Sequence, residues 1–186
     1  RRRAGASRSG SAEDGGWGDF GAVKLIDLVR EKRAHVARVT NARGADGEIA
    51  AIAEMDNWVP RPKGPALKVL LSALQSRGIS IKGSSFDAIS VQDSRVVDFT
   101  KLDEVLDAIP QMCFVEIKSA SQRRVKPGFD GYFFALTEAE IQAAEALGSQ
   151  HVVALFNKLT GELLLSSVPE ILARARSMNW QLSIQL

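Results

Sequence analysis

The sequence has one cysteine, Cys113, and no apolar run long enough to cross a membrane. A single cysteine excludes an intramolecular disulfide and any zinc site built from paired cysteines. A membrane-spanning helix needs roughly 20 consecutive apolar residues, and the basic N-terminus lacks the apolar stretch of a signal peptide. The formal net charge is only +2, so the overall charge does not itself predict a nucleic-acid partner. We therefore expect a soluble, cytoplasmic protein with no membrane contact.

The 186 residues fit one domain of ordinary size with additional chain at the N-terminus. Residues 1–18 are rich in Arg, Gly and Ser, which is typical of a flexible tail. Apolar positions recur at helical spacing between residues 20 and 39, so residues 19–62 are interpreted as an N-terminal helical segment. Three prolines between positions 60 and 65 mark a boundary. Residues 63–186 are interpreted as the main domain.

The hydrophobic pattern predicts an α/β fold with a mixed central β-sheet flanked by helices. Glu48–Met55 is open to either helix or strand. Thr137 and Glu140 have the spacing of a capping box at the start of a helix. Further helices are predicted at Gly64–Arg77, Lys101–Ile109 and Pro169–Met178. Strands are predicted at Ile79–Lys82, Phe86–Gln92, Val96–Phe99, Met112–Ser119, His151–Phe156 and Glu162–Ser166, and Trp180–Ile184 is predicted as a terminal strand or an extended segment.

Two charged residues lie within the apolar run Phe114–Ser119. Side chains alternate along a strand, so Glu116 and Lys118 point to one face and their neighbours to the other. A buried charge costs several kcal/mol unless it is paired or binds a metal ion. Because Glu-x-Lys is a common pattern, an exposed ion pair at the edge of a sheet is the alternative interpretation.

Asp87 lies on a preceding predicted strand that we expect to neighbour Glu116 in the sheet. Mg²⁺ takes oxygen ligands and is usually held by one or two carboxylates, waters and substrate phosphate. Asp87 and Glu116 would form such a site with the backbone carbonyl of Ile117, and Mn²⁺ is the expected substitute. Lys118 would orient or deprotonate the attacking water, or stabilise charge developing on the phosphate. The pattern indicates in-line hydrolysis of a phosphodiester.

The order of Asp87 and then Glu116-Ile117-Lys118 resembles the Asp…(Asp/Glu)-x-Lys signature of the PD-(D/E)xK, restriction-endonuclease-like nucleases. Phe134–Glu140 resembles the helix start that follows this strand in the Mrr-like and NO VEIN C-terminal-like branch. The resemblance covers residues 64–157, about half of the chain. It implies a restriction-endonuclease-like core within residues 63–186 and the activity of a Mg²⁺-dependent DNA endonuclease, with the Asp, Glu and Lys as catalytic residues.

The sequence departs from this family pattern at two points. In the family the helix before the Asp often supplies a further Glu as a metal ligand, but residues 64–77 contain no acidic residue. Glu54 is the nearest candidate. The spacing from Asp87 to the Glu-x-Lys strand is long and contains a predicted helix, so Asp93 and Asp98 are alternatives to Asp87.

The predicted loop after Lys118 is polar and basic. If Lys118 lies in an active site, this loop borders the cleft and its side chains would contact the phosphates of DNA; the alternative is a solvated surface loop. The residues concerned are Gln122, Arg123, Arg124 and Lys126. Double-strand cleavage generally requires two sites, so we expect a homodimer or a larger protein complex if both strands are cut.

Three functions stay open on the sequence alone. The first is a metal-dependent DNA endonuclease, in restriction or another form of genome defence. The second is a catalytically inactive nuclease-fold module that binds nucleic acid or scaffolds a larger complex. The third is an α/β interaction domain in which Glu116 and Lys118 form a surface pair. Metal binding separates the first function from the others, and DNA binding without cleavage separates the second from the third.

Overall fold

The computed structural model describes residues 46–92 and 95–178. Five α-helices are present there: α1 (described over residues 46–53), α2 (Gly64–Ser76), α3 (Leu102–Ala108), α4 (Glu138–Leu147) and α5 (Val168–Arg174). Five strands are present: β1 (Trp58–Pro60), β2 (Ala88–Val91), β3 (Met112–Ala120), β4 (His151–Asn157) and β5 (Glu162–Ser166). The stretch assigned from sequence to the N-terminal helical segment thus contributes α1 and β1.

The strands form one mixed sheet in the order β1-β2-β3-β4-β5. Only β3 and β4 are parallel, and the other neighbouring strands are antiparallel. A parallel pair needs a long crossover connection, which here contains α4. The longest strand, β3, lies in the centre of the sheet, and both of its faces are covered.

Helices cover the two faces of the sheet. On one face, α2, α3 and α4 pack over β2 and β3 around Phe86 and Phe114, whose rings meet edge to face at 5.1 Å between centroids. On the other face, Ala51 of α1 packs against Val115 and Ile117 of β3. The chain is thus an α/β protein with a five-stranded mixed sheet packed between helices.

Local sequence signals explain where the helices begin and end. Pro65 lies in the first turn of α2, where its missing N–H costs no hydrogen bond. Gly78 lies two residues after the end of α2 and has φ +79°. This conformation favours glycine. Thr137 caps α4 in a capping box with Glu140, as the sequence predicted.

Most predicted elements are confirmed. The predicted bounds of α2, α3, β3, β4 and β5 agree with the structure to within one residue at each end. The ambiguous stretch Glu48–Met55 is helical as far as residue 53. The strand predicted at Phe86–Gln92 is shorter and is β2. The helix predicted at Pro169–Met178 is also shorter and is α5.

Two predicted strands are wrong. Ile79–Lys82 and Val96–Phe99 have no strand pairing in the structure. Most of their apolar side chains pack half-buried against the core cluster to which α2 and α3 contribute, namely Ile79, Ile81, Val97 and Phe99. Val96 is 93% exposed. An apolar, β-branched run becomes a strand only where a neighbouring strand accepts its hydrogen bonds. The helix predicted between residues 20 and 39 and the strand predicted at Trp180–Ile184 lie outside the described residues.

No helix in the described ranges is long and apolar enough to cross a membrane.

Candidate functional site

Strand β3 carries two charged residues into the interior. Val115 and Ile117 face α1, so Glu116 and Lys118 lie on the opposite face, as the alternation of a strand requires. Glu116 is only 4% exposed, and the side chain of Lys118 is 15% exposed. The alternative interpretation, an exposed ion pair at the edge of the sheet, is therefore wrong.

The ammonium group of Lys118 lies between two carboxylates. Its Nζ is 2.7 Å from Glu116 Oε1 and donates to Glu140 Oε2 at 3.0 Å. Burial lowers the pKa of Lys118, but the charges of these carboxylates and their hydrogen bonds outweigh burial, and the pKa lies above its usual value. Lys118 is therefore a cation in the interior of the site that two carboxylates stabilise.

The second oxygen of Glu116, Oε2, is buried and has no hydrogen-bond partner among the described residues. Burial, and then the negative charge of Asp87, raise the pKa of Glu116 to about 9, although Lys118 opposes the shift. Ionising Glu116 in this environment costs free energy. A cation bound at Oε2 would offset that cost.

Asp87 lies immediately before β2 and is held by β3. Its backbone N–H donates to the Val115 carbonyl at 2.8 Å, and its Oδ2 accepts from the Ile117 N–H at 2.9 Å. The N–H and C=O of one strand residue point to the same side, so the Ile117 carbonyl also faces the Asp87 side. Burial raises the pKa of Asp87 in spite of the bond from Ile117. The structure thus brings Asp87, Glu116 and Ile117 together.

Helix α1 supplies a third carboxylate, which the sequence did not identify. Gly47 packs so closely against the end of β3 that a Cβ there would overlap the side chain of Ser119. The next residue, Glu48, is half-buried. Burial, and then the charge of Asp87, raise the pKa of Glu48, so these two carboxylates interact. The sequence signal was weak because the Gly47–Ser119 contact joins distant parts of the chain.

Arg61 is a second cation at the site and was also missed. Its Nη1 donates to the Phe86 carbonyl at 2.9 Å, and its backbone N–H donates to the Asp87 carbonyl at 2.9 Å. Its positive charge opposes the rise in the pKa of both Glu48 and Asp87. In the sequence Arg61 stands between two prolines, which mark it as part of a connection and give no sign of a site.

Glu140 joins the site to the start of α4. Its Oε2 accepts from the Thr137 N–H at 2.8 Å and also from Lys118 Nζ. Its own N–H donates to Thr137 Oγ1 at 3.3 Å. Glu140 is only 6% exposed. From sequence it was interpreted as a capping residue, and the structure shows that the same carboxylate also holds Lys118.

The predicted nucleic-acid-binding residues lie in the loop that follows β3. Gln122, Arg123, Arg124 and Lys126 are all exposed, and Gln122 Oε1 accepts from Arg124 Nε at 2.7 Å. Two apolar residues of the same loop, Val125 and Phe129, are buried in the core, and Arg174 of α5 donates to the Gly128 carbonyl at 3.2 Å. The backbone of the loop is therefore held against the core, and its polar side chains are exposed.

Two of the three alternative acidic candidates lie within the described residues. Glu54 is exposed just after the helical residues of α1. Asp98 lies in the turn before α3, where its Oδ1 accepts from the hydroxyl and the N–H of Thr100. Asp93 lies outside the described residues.

A metal ion at this site would need more than side chains. Within residues 46–92 and 95–178, no three His, Cys, Asp or Glu side chains form a group that could hold a metal ion. The predicted ligand set contains two carboxylates, Asp87 and Glu116, and the backbone carbonyl of Ile117, and a hard divalent ion takes its further ligands from water and phosphate. The buried Oε2 of Glu116 fits such a site.

Comparisons of this chain with models of protein families, with curated proteins and with solved structures found no match.

Proposed function

We propose that this protein is a metal-dependent DNA endonuclease with a restriction-endonuclease-like core. The observation that carries the proposal is the buried charge cluster that joins Asp87 and Glu116 to Lys118. Buried charges are costly, and groups with strongly shifted pKa values are concentrated at functional sites. The cluster draws on β3 and on the residue before β2, which is the arrangement implied by the resemblance to the PD-(D/E)xK nucleases.

Glu48 strengthens the resemblance at the point where the sequence departed from it. The family often has a further Glu on the helix before the Asp, and α2 has no acidic residue. Glu48 of α1 lies near enough to Asp87 for its pKa to be affected. Glu48, and not the exposed Glu54, is therefore the acidic residue of α1 that we place beside Asp87, outside the proposed metal ligand set, since no three such side chains among the described residues form a metal-binding group.

The residues would divide the chemistry as follows. Asp87, Glu116 and the Ile117 carbonyl would hold Mg²⁺, or Mn²⁺ in its place. The ion would act as a Lewis acid on the phosphate and lower the pKa of bound water. Lys118 would position the attacking water or stabilise negative charge on the phosphate, since its ammonium is fixed beside Glu116.

The basic loop would contact DNA on either side of the scissile bond. Arg123, Arg124 and Lys126 are exposed, and cations at such positions bind backbone phosphates without reading the base sequence. The proposed activity therefore includes salt-sensitive binding. A homodimer or a larger complex would be needed to cut both strands, and restriction or another form of genome defence is the proposed setting.

One observation favours a second candidate, the inactive module that binds nucleic acid or scaffolds a complex. Lys118 already pairs with Glu116 Oε1, and the described residues contain no group of three potential metal-binding side chains. If this ion pair persists in the presence of metal ions, the fold and the basic loop would be retained without cleavage.

Cleavage of supercoiled plasmid with Mg²⁺ or Mn²⁺ tests the proposal. We expect nicking by the wild type and a loss of about 10²–10⁴-fold in Lys118→Ala, the range of general acid–base catalysis. Glu116→Ala and Glu48→Gln should also lose activity, whereas the matched control Glu54→Gln should not, because Glu54 is exposed. DNA retention without cleavage by the wild type would favour the inactive module. Equal activity in all variants would contradict the proposal.

A further inference from the structure

We propose that Glu140 is a positioning residue for Lys118: it keeps the lysine ammonium in the site when Glu116 is engaged by another ligand. The catalytic part of this inference rests on the proposed function, whereas the contact between Lys118 and Glu140 does not. Lys118 Nζ has two carboxylate partners, Glu116 Oε1 at 2.7 Å and Glu140 Oε2 at 3.0 Å. Only Glu116 belongs to the proposed metal-binding set.

The two partners of Lys118 are therefore not equivalent. A carboxylate that binds a cation loses attraction for a neighbouring ammonium, so Glu116 cannot be relied on to hold Lys118 during the reaction. Without a second partner, a lysine side chain has enough rotamer freedom to leave the site. Glu140 supplies this second partner from a different element, because it belongs to α4 and not to β3.

The capping box makes Glu140 a rigid partner. Its Oε2 also accepts from the Thr137 N–H at 2.8 Å, and its residue is only 6% exposed. Its position in the first turn of a ten-residue helix places its negative charge at the favourable end of the helix dipole. A side chain fixed by a second hydrogen bond can hold a functional group at a defined place.

The same motif occurs at the start of α5 and supplies a matched control. Glu170 Oε2 accepts from the Ser167 N–H at 2.9 Å, but Glu170 is exposed and its further contact is the hydroxyl of Ser166. Glu140→Gln keeps an oxygen that can accept from Thr137 and removes the charge that holds Lys118. Glu170→Gln makes the same chemical change in a capping box that does not contact Lys118.

The first measurement is a double-mutant cycle in urea unfolding, without metal or DNA. The effects of Lys118→Met and Glu140→Gln on the unfolding equilibrium constant should be non-additive by about ten-fold, as for residues in direct contact. The effects of Lys118→Met and Glu170→Gln should multiply independently. Additive behaviour in the Lys118–Glu140 cycle would overturn the proposal, whether or not the protein cleaves DNA.

The second measurement is steady-state cleavage with Mg²⁺. Glu140→Gln should lower kcat about 10–100-fold, as for residues that orient a metal-site group through a hydrogen bond, and change KM little. Glu170→Gln should change neither constant. An unchanged kcat in Glu140→Gln, with an active wild type, would show a purely structural contact and overturn the positioning role. If the wild type does not cleave but the cycle shows coupling, the nuclease function fails, and the Lys118–Glu140 contact is established as a structural one only.

Discussion

The N-termini of α4 and α5 have the same capping box and different surroundings. In α4 the hydroxyl of Thr137 accepts from the Glu140 N–H at 3.3 Å, and in α5 the hydroxyl of Ser167 accepts from the Glu170 N–H at the same distance. The return bonds from the N-cap N–H to the carboxylate are 2.8 and 2.9 Å. Local geometry therefore does not distinguish the two helix starts.

Burial distinguishes them. Glu140 is 6% exposed and accepts from Lys118 as well as from its cap, whereas Glu170 is exposed and has only local partners. A buried charge needs a partner of opposite charge, and an exposed one is served by water. One short motif can therefore either cap the start of a helix alone or also bind a residue of a charge cluster. The packing around the motif decides between the two.

The largest expected difference is in stability after truncation. Glu140→Ala removes a cap and leaves the Lys118 ammonium with one partner, so we expect the free energy of unfolding to fall by about 3 kcal/mol. Glu170→Ala removes only an exposed cap and should cost much less. Urea unfolding of both variants measures the two losses. Equal losses would mean that the burial of Glu140 and its contact with Lys118 add nothing to stability beyond the cap, which would contradict the difference drawn between the two capping boxes.

The pH dependence of stability sharpens the comparison, since the two regions differ in the sign of their pKa shifts. Glu116, beside Lys118, has its pKa raised from 4.5 to about 9, first by burial. The unfolded chain therefore releases this proton at lower pH than the folded protein, and stability is lost as pH rises between these values. Glu116→Gln removes that loss, so its melting temperature relative to that of the wild type should rise by about 5 °C between pH 4 and pH 8.

Glu170 should behave in the opposite way. Hydrogen bonds from the N–H of Ser167 and the hydroxyl of Ser166 lower its pKa, so its contribution to stability is present above the usual carboxyl pKa and is lost as pH falls. Thermal melts of Glu116→Gln between pH 4 and pH 8, and of Glu170→Gln from about pH 6 down to about pH 3, check the two signs. A melting temperature of Glu116→Gln that does not rise relative to that of the wild type between pH 4 and pH 8 would contradict the assigned environment of Glu116.

The sequence predicted the elements whose signals are local. The capping box at Thr137, the proline at the start of α2 and the apolar run of β3 each determine structure within a few neighbouring residues. Alternation along β3 also placed Glu116 and Lys118 on one face. Ile79–Lys82 shows the limit of this reasoning, because its composition favours a strand and, within the described part of the chain, no strand lies beside it to pair with.

The residues missed at the site depend on contacts between distant parts of the chain. Glu48 reaches the site because Gly47 lets α1 approach Ser119 closely, and Arg61 because its backbone bonds to Asp87. Neither contact has a signature within its own stretch of sequence. The second role of Glu140 was hidden for a related reason, since the capping motif already accounted for the residue.

The smallest expected effect concerns the two hydroxyls. Thr137→Ala and Ser167→Ala each remove one cap acceptor, with no contact to Lys118, and each should lower the free energy of unfolding by about 1 kcal/mol. Urea unfolding of the two variants measures these losses. Similar losses in the two variants would mean that the two capping boxes differ through their carboxylates, Glu140 and Glu170, and not through their hydroxyls. A much larger loss in Thr137→Ala would mean that the cap of α4 as a whole, and not Glu140 in particular, supports the charge cluster, because the hydroxyl bond itself has the same length in both helices.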